Sequence, residues 1–373
     1  MAASTNPLAS SLSLTALGSA DWAIVAHEAS IDLQDWCVID PTPPPPTPLA
    51  TQGYMERLVY NRFLEEAVFG PKALREAKPT GDAQNYLANT LYEEVSIPYT
   101  PTQNLTGLLF GRYDETGKAL PFDKGSVTCL VLSGTGAPLE AYVMGIIEGY
   151  RNEGCQVLAV NYVGFGNNAH LGSPSATNVF ACAEAALTFL FNRGVHDDSL
   201  LVHGYSMGGV AAARLAQKYN THLVVDRTSI STEEIAYAML TQQRQTTAMQ
   251  RFVCCMAAKV AMYGVPFSIA ESIGKVRRKI FVVQEQEPVT QKIGALPLVE
   301  KLLTEKALLA QEVVTKWIAP NHISSPVCTW TVDGAKFAAK LGVSFYPYWE
   351  MDKNEEARKS WQQFIKGIRA LKV

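Results

Sequence analysis

Residues Gly204-Tyr205-Ser206-Met207-Gly208-Gly209 carry the spacing best suited to chemistry in this chain. A short apolar run, Leu200-Leu201-Val202, precedes them, and a small-residue run, Val210-Ala211-Ala212-Ala213, follows. Strand, G-x-S-x-G, helix is the layout of a nucleophile elbow. The serine of such an elbow sits on a strained, tight turn, and a Cβ on either flanking glycine would collide with the neighbouring strand or helix. The turn lifts the hydroxyl of Ser206 above the sheet edge, where a base can reach it. It also sets the N–H of Met207 at a helix N-terminus, where negative charge is favoured. The implied chemistry is attack of an alcohol on a carbonyl once a base has taken its proton. By average residue usage, G-x-S-x-G alone arises in about one chain in ten of this length. The strand before it and the helix after it argue against chance here.

The surrounding pattern supplies elements to hold such a turn. Residues 93–99 and 105–110 read as consecutive antiparallel strands. Buried strands follow at 127–132, 156–162, 200–202 (leading into the elbow), 222–226 and 279–283. Helices are expected near 139–152, 176–192 and, with Trp361, Phe364, Ile365 and Ile368 as an apolar face, 354–371. Apolar strands alternating with helices predict an α/β fold, a mostly parallel sheet covered by helices on both faces. Three regions are expected. Residues 1–50 are an accessory segment ending in the run Pro41-Thr42-Pro43-Pro44-Pro45-Pro46-Thr47-Pro48, which favours extended polyproline II as a stiff spacer or an adaptor-domain ligand. Residues 51–91 form a helical extension, and 92–373 form the main domain, with an insertion at 228–275.

Composition narrows the function. The chain has 373 residues, 47% hydrophobic and 18% charged, which is enough to bury a large core. A net charge of −3, with no long basic region, argues against a nucleic-acid partner. Seven cysteines without paired spacing point to buried free thiols in a reducing compartment. The absence of C-x-x-C and of any cysteine–histidine cluster leaves no metal expected. Gly134 and Gly136 could open a dinucleotide loop, but G-x-G-x-x-G fails at Leu139, so no cofactor is expected either. Residues 1–25 carry no Lys or Arg ahead of their apolar residues and do not read as a secretory signal. The apolar stretch Phe252 to Ala270 is broken by Lys259, Gly264 and Pro266, so a buried or lid helix is expected rather than a transmembrane one.

From about residue 92 onward the chain resembles the α/β-hydrolases. Asn161-Tyr162-Val163-Gly164-Phe165-Gly166, then Gly172-Ser173-Pro174-Ser175, resembles their D-Y-R-G-x-G-x-S-x-G strand and loop. Gly204 to Gly209 matches their G-x-S-M-G-G elbow. Val224-Val225-Asp226-Arg227-Thr228 is similar to the D-R-T strand end of a branch that includes CHLPS-type proteins of intracellular bacteria and ABHD-like proteins of eukaryotes. The resemblance implies the chain order Ser, then Asp or Glu, then His. Of the six histidines, His27, His170, His196, His203, His222 and His322, only His322 lies late enough, and it is the implied general base. The implied acid follows the strand at 279–283, where Glu287 occupies the matching site; Glu285 and Asp226 are the alternatives. The implied oxyanion hole pairs the N–H of Met207 with that of Thr135, in a loop where Ser133 replaces the family's histidine.

The expected activity is a serine hydrolase cleaving a carboxylic ester or thioester through an acyl-enzyme. Its partner is a small-molecule ester or acyl substrate; the host or partner protein stays open. The insertion carries Phe252, Met256, Met262, Tyr263, Val265 and Phe267, which could roof the site for a greasy acyl chain or simply pack as core. Lys275, Arg277, Arg278 and Lys279 read either as a solvated cluster or as a membrane-surface contact toward anionic headgroups. The alternative function is a hydrolase-fold effector or binding protein with little turnover. The expected location is cytoplasmic, in the cell of origin or in a host.

Overall fold

Both faces of each central strand are apolar, so each strand needs cover on both sides, and the chain supplies it by alternating strands with helices. The computed structural model describes residues 69, 72–76, 78, 82–118, 120–134, 138–139, 144–232, 234, 267–285, 294–319 and 355–372. The described strands are β1 (Tyr92–Pro98), β2 (Asn104–Phe110), β3 (Thr128–Leu132), β4 (Gln156–Val160), β5 (Leu200–Tyr205), β6 (His222–Asp226), β7 (Ile280–Glu285) and β8 (Val313–Ala319). They form one sheet in the order β1-β2-β4-β3-β5-β6-β7-β8. The β1–β2 and β2–β4 pairs are antiparallel, and every later pair is parallel. The longer helices are α1 (Asp82–Asn89), α2 (Met144–Asn152), α3 (Ala176–Asn192), α4 (Gly208–Tyr219), α5 (Ala295–Thr304) and α6 (Glu355–Arg369). Most of these elements were expected. β8 and α5 were not read from the sequence; α1 falls within the helical extension expected at 51–91, most of which lies outside the described residues.

The period-two alternation of strand side chains divides the core into two layers. Leu130 and Leu132 of β3, Val202 of β5 and Val225 of β6 join α3 and α4 on one face. Cys129 and Val131, Leu201 and Val224 join α2 and α6 on the other. The apolar stripe of α6 is buried as its spacing predicts, with Trp361 stacked on Phe364 and edge-on to Phe281 and Tyr150. Each such side chain contributes about 1.5–3 kcal/mol by leaving water.

Local signals set the helix limits. Ser175 caps α3 by accepting from the N–H of Asn178 at 3.1 Å. Asn220 ends α4 in the left-handed conformation. Phe267, which could roof the site or pack as core, packs as core. Phe267 is fully buried edge-on to Phe69, and Ile269 and Ile273 share its cluster. Phe252, Met256, Met262, Tyr263 and Val265 lie outside the described residues.

His222 opens β6 with Nε2 3.2 Å from the carbonyl oxygen of Asp198. Burial, reinforced by the positive charge of Arg278, pulls its imidazole down from the ordinary 6.5 to about 3. Between those values the unfolded chain binds a proton that the folded chain refuses, so stability is complete above about pH 6.5 and is lost as pH falls toward 3. The unfolding midpoint of the wild type should therefore drop across that window more steeply than that of His222→Gln. Parallel slopes in the two proteins would remove His222 from the acid response.

Candidate active site

The end of β5 delivers Ser206 into a turn that few L-residues tolerate. Its φ is +51°, in the left-handed region. That conformation costs a non-glycine residue roughly 1–2 kcal/mol and persists only where the surroundings impose it. The surroundings here are backbone. The N–H of Ser206 donates to the carbonyl of Asp226 at 2.8 Å, and the N–H of Gly209 donates to the carbonyl of Ser206 at 3.0 Å. A Cβ on Gly204 would run into the Gly208 carbonyl and the Gly209 Cα. One on Gly208 would run into the carbonyl oxygens of Leu132 and Ser133. The elbow is therefore as crowded as its sequence implied, and the side chain of Ser206 remains half-exposed.

Met207 is the N-cap residue of α4. The first-turn N–H groups of a helix lack intrahelical acceptors, and the helix dipole favours negative charge there. The main chain after β3 comes to the same place: a Cβ built on Gly134 would stand 3.0 Å from the Cβ of Ser206. Ser133 is fully buried, and its carbonyl accepts from the hydroxyl of Tyr162 at 3.0 Å. Thr135 lies outside the described residues.

Asp226, an alternative acid, is held beneath the turn. It is fully buried, with its carboxylate 3.4 Å from His203 Nε2 and 3.4 Å from Arg227. His203 Nδ1 in turn lies 2.9 Å from the Tyr150 hydroxyl. These polar groups sit on the α2–α6 face of the sheet, and nothing in the sequence links Tyr150 to His203. The only available clue was that both polar residues stood within otherwise apolar segments. Of the other described histidines, His170 and His196 are exposed. Glu285 ends β7 and pairs in register with Ala319 of β8. Glu287 and His322 lie outside the described residues.

The parallel registers gather the relevant chain ends. Leu132 pairs with Gly204, Tyr205 with Asp226, Asp226 with Val283 and Val283 with Trp317. The strands thus end together at one edge of the sheet, the edge that carries Ser206. The basic cluster belongs to the opposite edge, where Lys279 precedes β7. There Arg278 pairs with Asp197 at 3.2 Å, and Lys279 pairs with Glu312. Cys129, Cys155 and Cys182 are buried free thiols, and burial pushes Cys155 and Cys182 up to about 12, far from a thiolate at neutral pH. Among the described residues, no helix is long and apolar enough to cross a membrane, and no group of three His, Cys, Asp or Glu could hold a metal ion.

No family model matches the chain. It is 29% identical over 160 residues to a multifunctional-autoprocessing repeats-in-toxin of Vibrio cholerae and 30% identical over 161 residues to one of Vibrio vulnificus. Each match covers 42% of this chain and 3% of the toxin. Among solved structures, it is similar to an alpha-beta hydrolase from Vibrio vulnificus. That likeness has a TM-score of 0.53 and 21% identity, over 82% of this chain and 98% of the other. The sheet order, the two-layer cover and this likeness together establish that the chain has the α/β-hydrolase fold.

Proposed function

We propose that this protein is a serine hydrolase that cleaves a carboxylic ester or thioester, with Ser206 as nucleophile. The observation that carries the proposal is the conformation of Ser206, held at φ +51° on a turn closed by backbone contacts, beside the main chain of Gly134. Strained residues of this kind cluster at active sites, and attack on a carbonyl is the use that fits a serine between a strand and a helix N-terminus.

In the proposed cycle His322 takes the proton of Ser206 as the hydroxyl attacks. Glu287 orients the imidazole and stabilises its cation, with Glu285 and Asp226 as the alternatives. The N–H groups of Met207 and Thr135 receive the oxyanion; its collapse expels the alcohol or thiol, which takes the proton from His322, and water activated by the neutral His322 then releases the acyl group from Ser206. The reach is sufficient. Ala319 ends β8 three strands from β5, about 14 Å at the usual strand spacing. The three residues from there to His322 span up to about 10 Å, and the imidazole adds its own length. An apolar roof from the 228–275 insertion would favour an acyl chain. The pairing of Arg278 and Lys279 at the opposite edge gives a headgroup contact near Ser206 no support.

A second reading, a hydrolase-fold effector with little turnover, draws on the likeness to segments of two toxins. A fluorophosphonate probe separates the two. The hydrolase reading expects the native protein to label covalently at Ser206 and Ser206→Ala not to label. A native, folded protein that never labels would favour the effector reading. Profiling hydrolysis against esters of graded chain length then tests the acyl roof, which expects rates to rise with chain length.

A further inference from the structure

We infer that Asn161 and Tyr162 are positioning residues that set the oxyanion loop against Ser206. The inference rests on the hydrolase reading above. The loop leaves β3 at Ser133, passes Gly134 beside the nucleophile, and is described again at Pro138 and Leu139. Consecutive residues just after β4 grip both described ends. The Tyr162 hydroxyl donates to the Ser133 carbonyl at 3.0 Å, and the Asn161 side-chain oxygen accepts from the Leu139 N–H at 2.8 Å. All four residues are buried. The segment between these grips contains Thr135, whose N–H is the proposed second oxyanion donor.

The grips are themselves fixed. Asn161 Nδ2 donates to Asn167 Oδ1 at 3.1 Å, which leaves the Oδ1 of Asn161 for Leu139. Asn168 is fully buried and acts as a strand residue made from a side chain. Its Oδ1 accepts from the Thr106 N–H at 2.8 Å, and its Nδ2 donates to the Thr106 carbonyl at 3.1 Å. It thereby extends the β2–β4 ladder by one rung past the last pair, Gly107 with Val160. The same Nδ2 donates to the Asn161 carbonyl at 2.7 Å. The Tyr162 ring stands edge-on to Phe165 at 6.0 Å, so its hydroxyl is aimed by packing. A continuous set of hydrogen bonds thus refers the oxyanion loop to β2 and β4, strands that carry none of the proposed reacting groups.

An oxyanion donor acts on charge that exists only as the transition state forms. Loosening its loop should therefore lower kcat and leave KM nearly unchanged. Tyr162→Phe removes one hydroxyl, and Asn161→Leu removes both side-chain bonds. Each should cut kcat on a short-chain ester, and the fluorophosphonate inactivation rate per folded molecule, by roughly 10–100-fold, short of the loss from deleting a donor outright. Asn161→Asp keeps the acceptor for Leu139 and should recover most of the rate lost in Asn161→Leu. Leu187→Ala, in α3, serves as a control for stability loss alone: it should lower the unfolding midpoint and leave kcat of the folded fraction at the wild-type value. Folded Tyr162→Phe and Asn161→Leu proteins with kcat within threefold of wild type overturn the inference while leaving the hydrolase reading intact. A wild-type protein that neither labels nor hydrolyses esters overturns the hydrolase reading, and the positioning role falls with it.

Discussion

Ser206→Ala should lower ester turnover by a factor on the order of 10⁴ or more, because a triad that loses its nucleophile retains only oxyanion and binding contributions. The same substitution should leave the fold intact. The stronger form of the test is Ser206→Gly. At φ +51° a glycine carries no Cβ penalty, whereas serine does. Ser206→Gly should therefore be inactive and yet more stable than wild type by about 1 kcal/mol, the order of the strain released, less the entropy that glycine adds to the unfolded chain. Paired measurements of urea unfolding and ester hydrolysis check both halves. An active Ser206→Ala protein would end the proposal that this hydroxyl is the nucleophile, and a destabilised Ser206→Gly would deny that the turn is strained.

Gly204→Ala is expected to be the most damaging single methyl addition near the site. The new Cβ meets the backbone of Gly208 and Gly209, which cannot swing aside as a flexible side chain would. Relief requires moving the start of α4 away from β5, and with it the main-chain contacts that hold Ser206. The cost should exceed about 4 kcal/mol, the range reached by few point mutations. The expected result is a large fall in the unfolding midpoint together with complete loss of fluorophosphonate labelling. A Gly204→Ala protein that unfolds within two or three degrees of wild type would show that the elbow has room that the backbone contacts deny.

The parts of this molecule that could be read from sequence are those governed by near neighbours. Leu200-Leu201-Val202, then Gly204 to Gly209, then Ala211-Ala212-Ala213 reads as strand, turn and helix because each step depends on residues a few positions away. Strands β3 to β7 were legible because burial on both faces makes them continuously apolar. β8 was not, because Thr315 and Lys316 interrupt Val313-Val314 and Trp317-Ile318 at the edge of the sheet, where one side needs less cover. The joining of Tyr150 to His203, and of Asn168 to Thr106, depends on strand order and register, which no local pattern encodes. Of the two readings open for Phe267, roof or core, burial selects core. Thr135, Glu287 and His322 rest on the order implied by the family resemblance and stand as proposals.

The N–H of Ser206 is tied to the carbonyl of Asp226, the last residue of β6. The next residue, Arg227, donates its N–H to the carbonyl of Val283 in β7, and the carbonyl of Thr228 accepts from the N–H of Ala295. The stem of the 228–275 insertion is thus bolted to the nucleophile on one side and to the exit of β7 on the other. Whatever displaces that stem acts through the Asp226 carbonyl on the main chain of Ser206, the proposed nucleophile. The shape of the serine turn and the placing of that stem are in this way mechanically coupled.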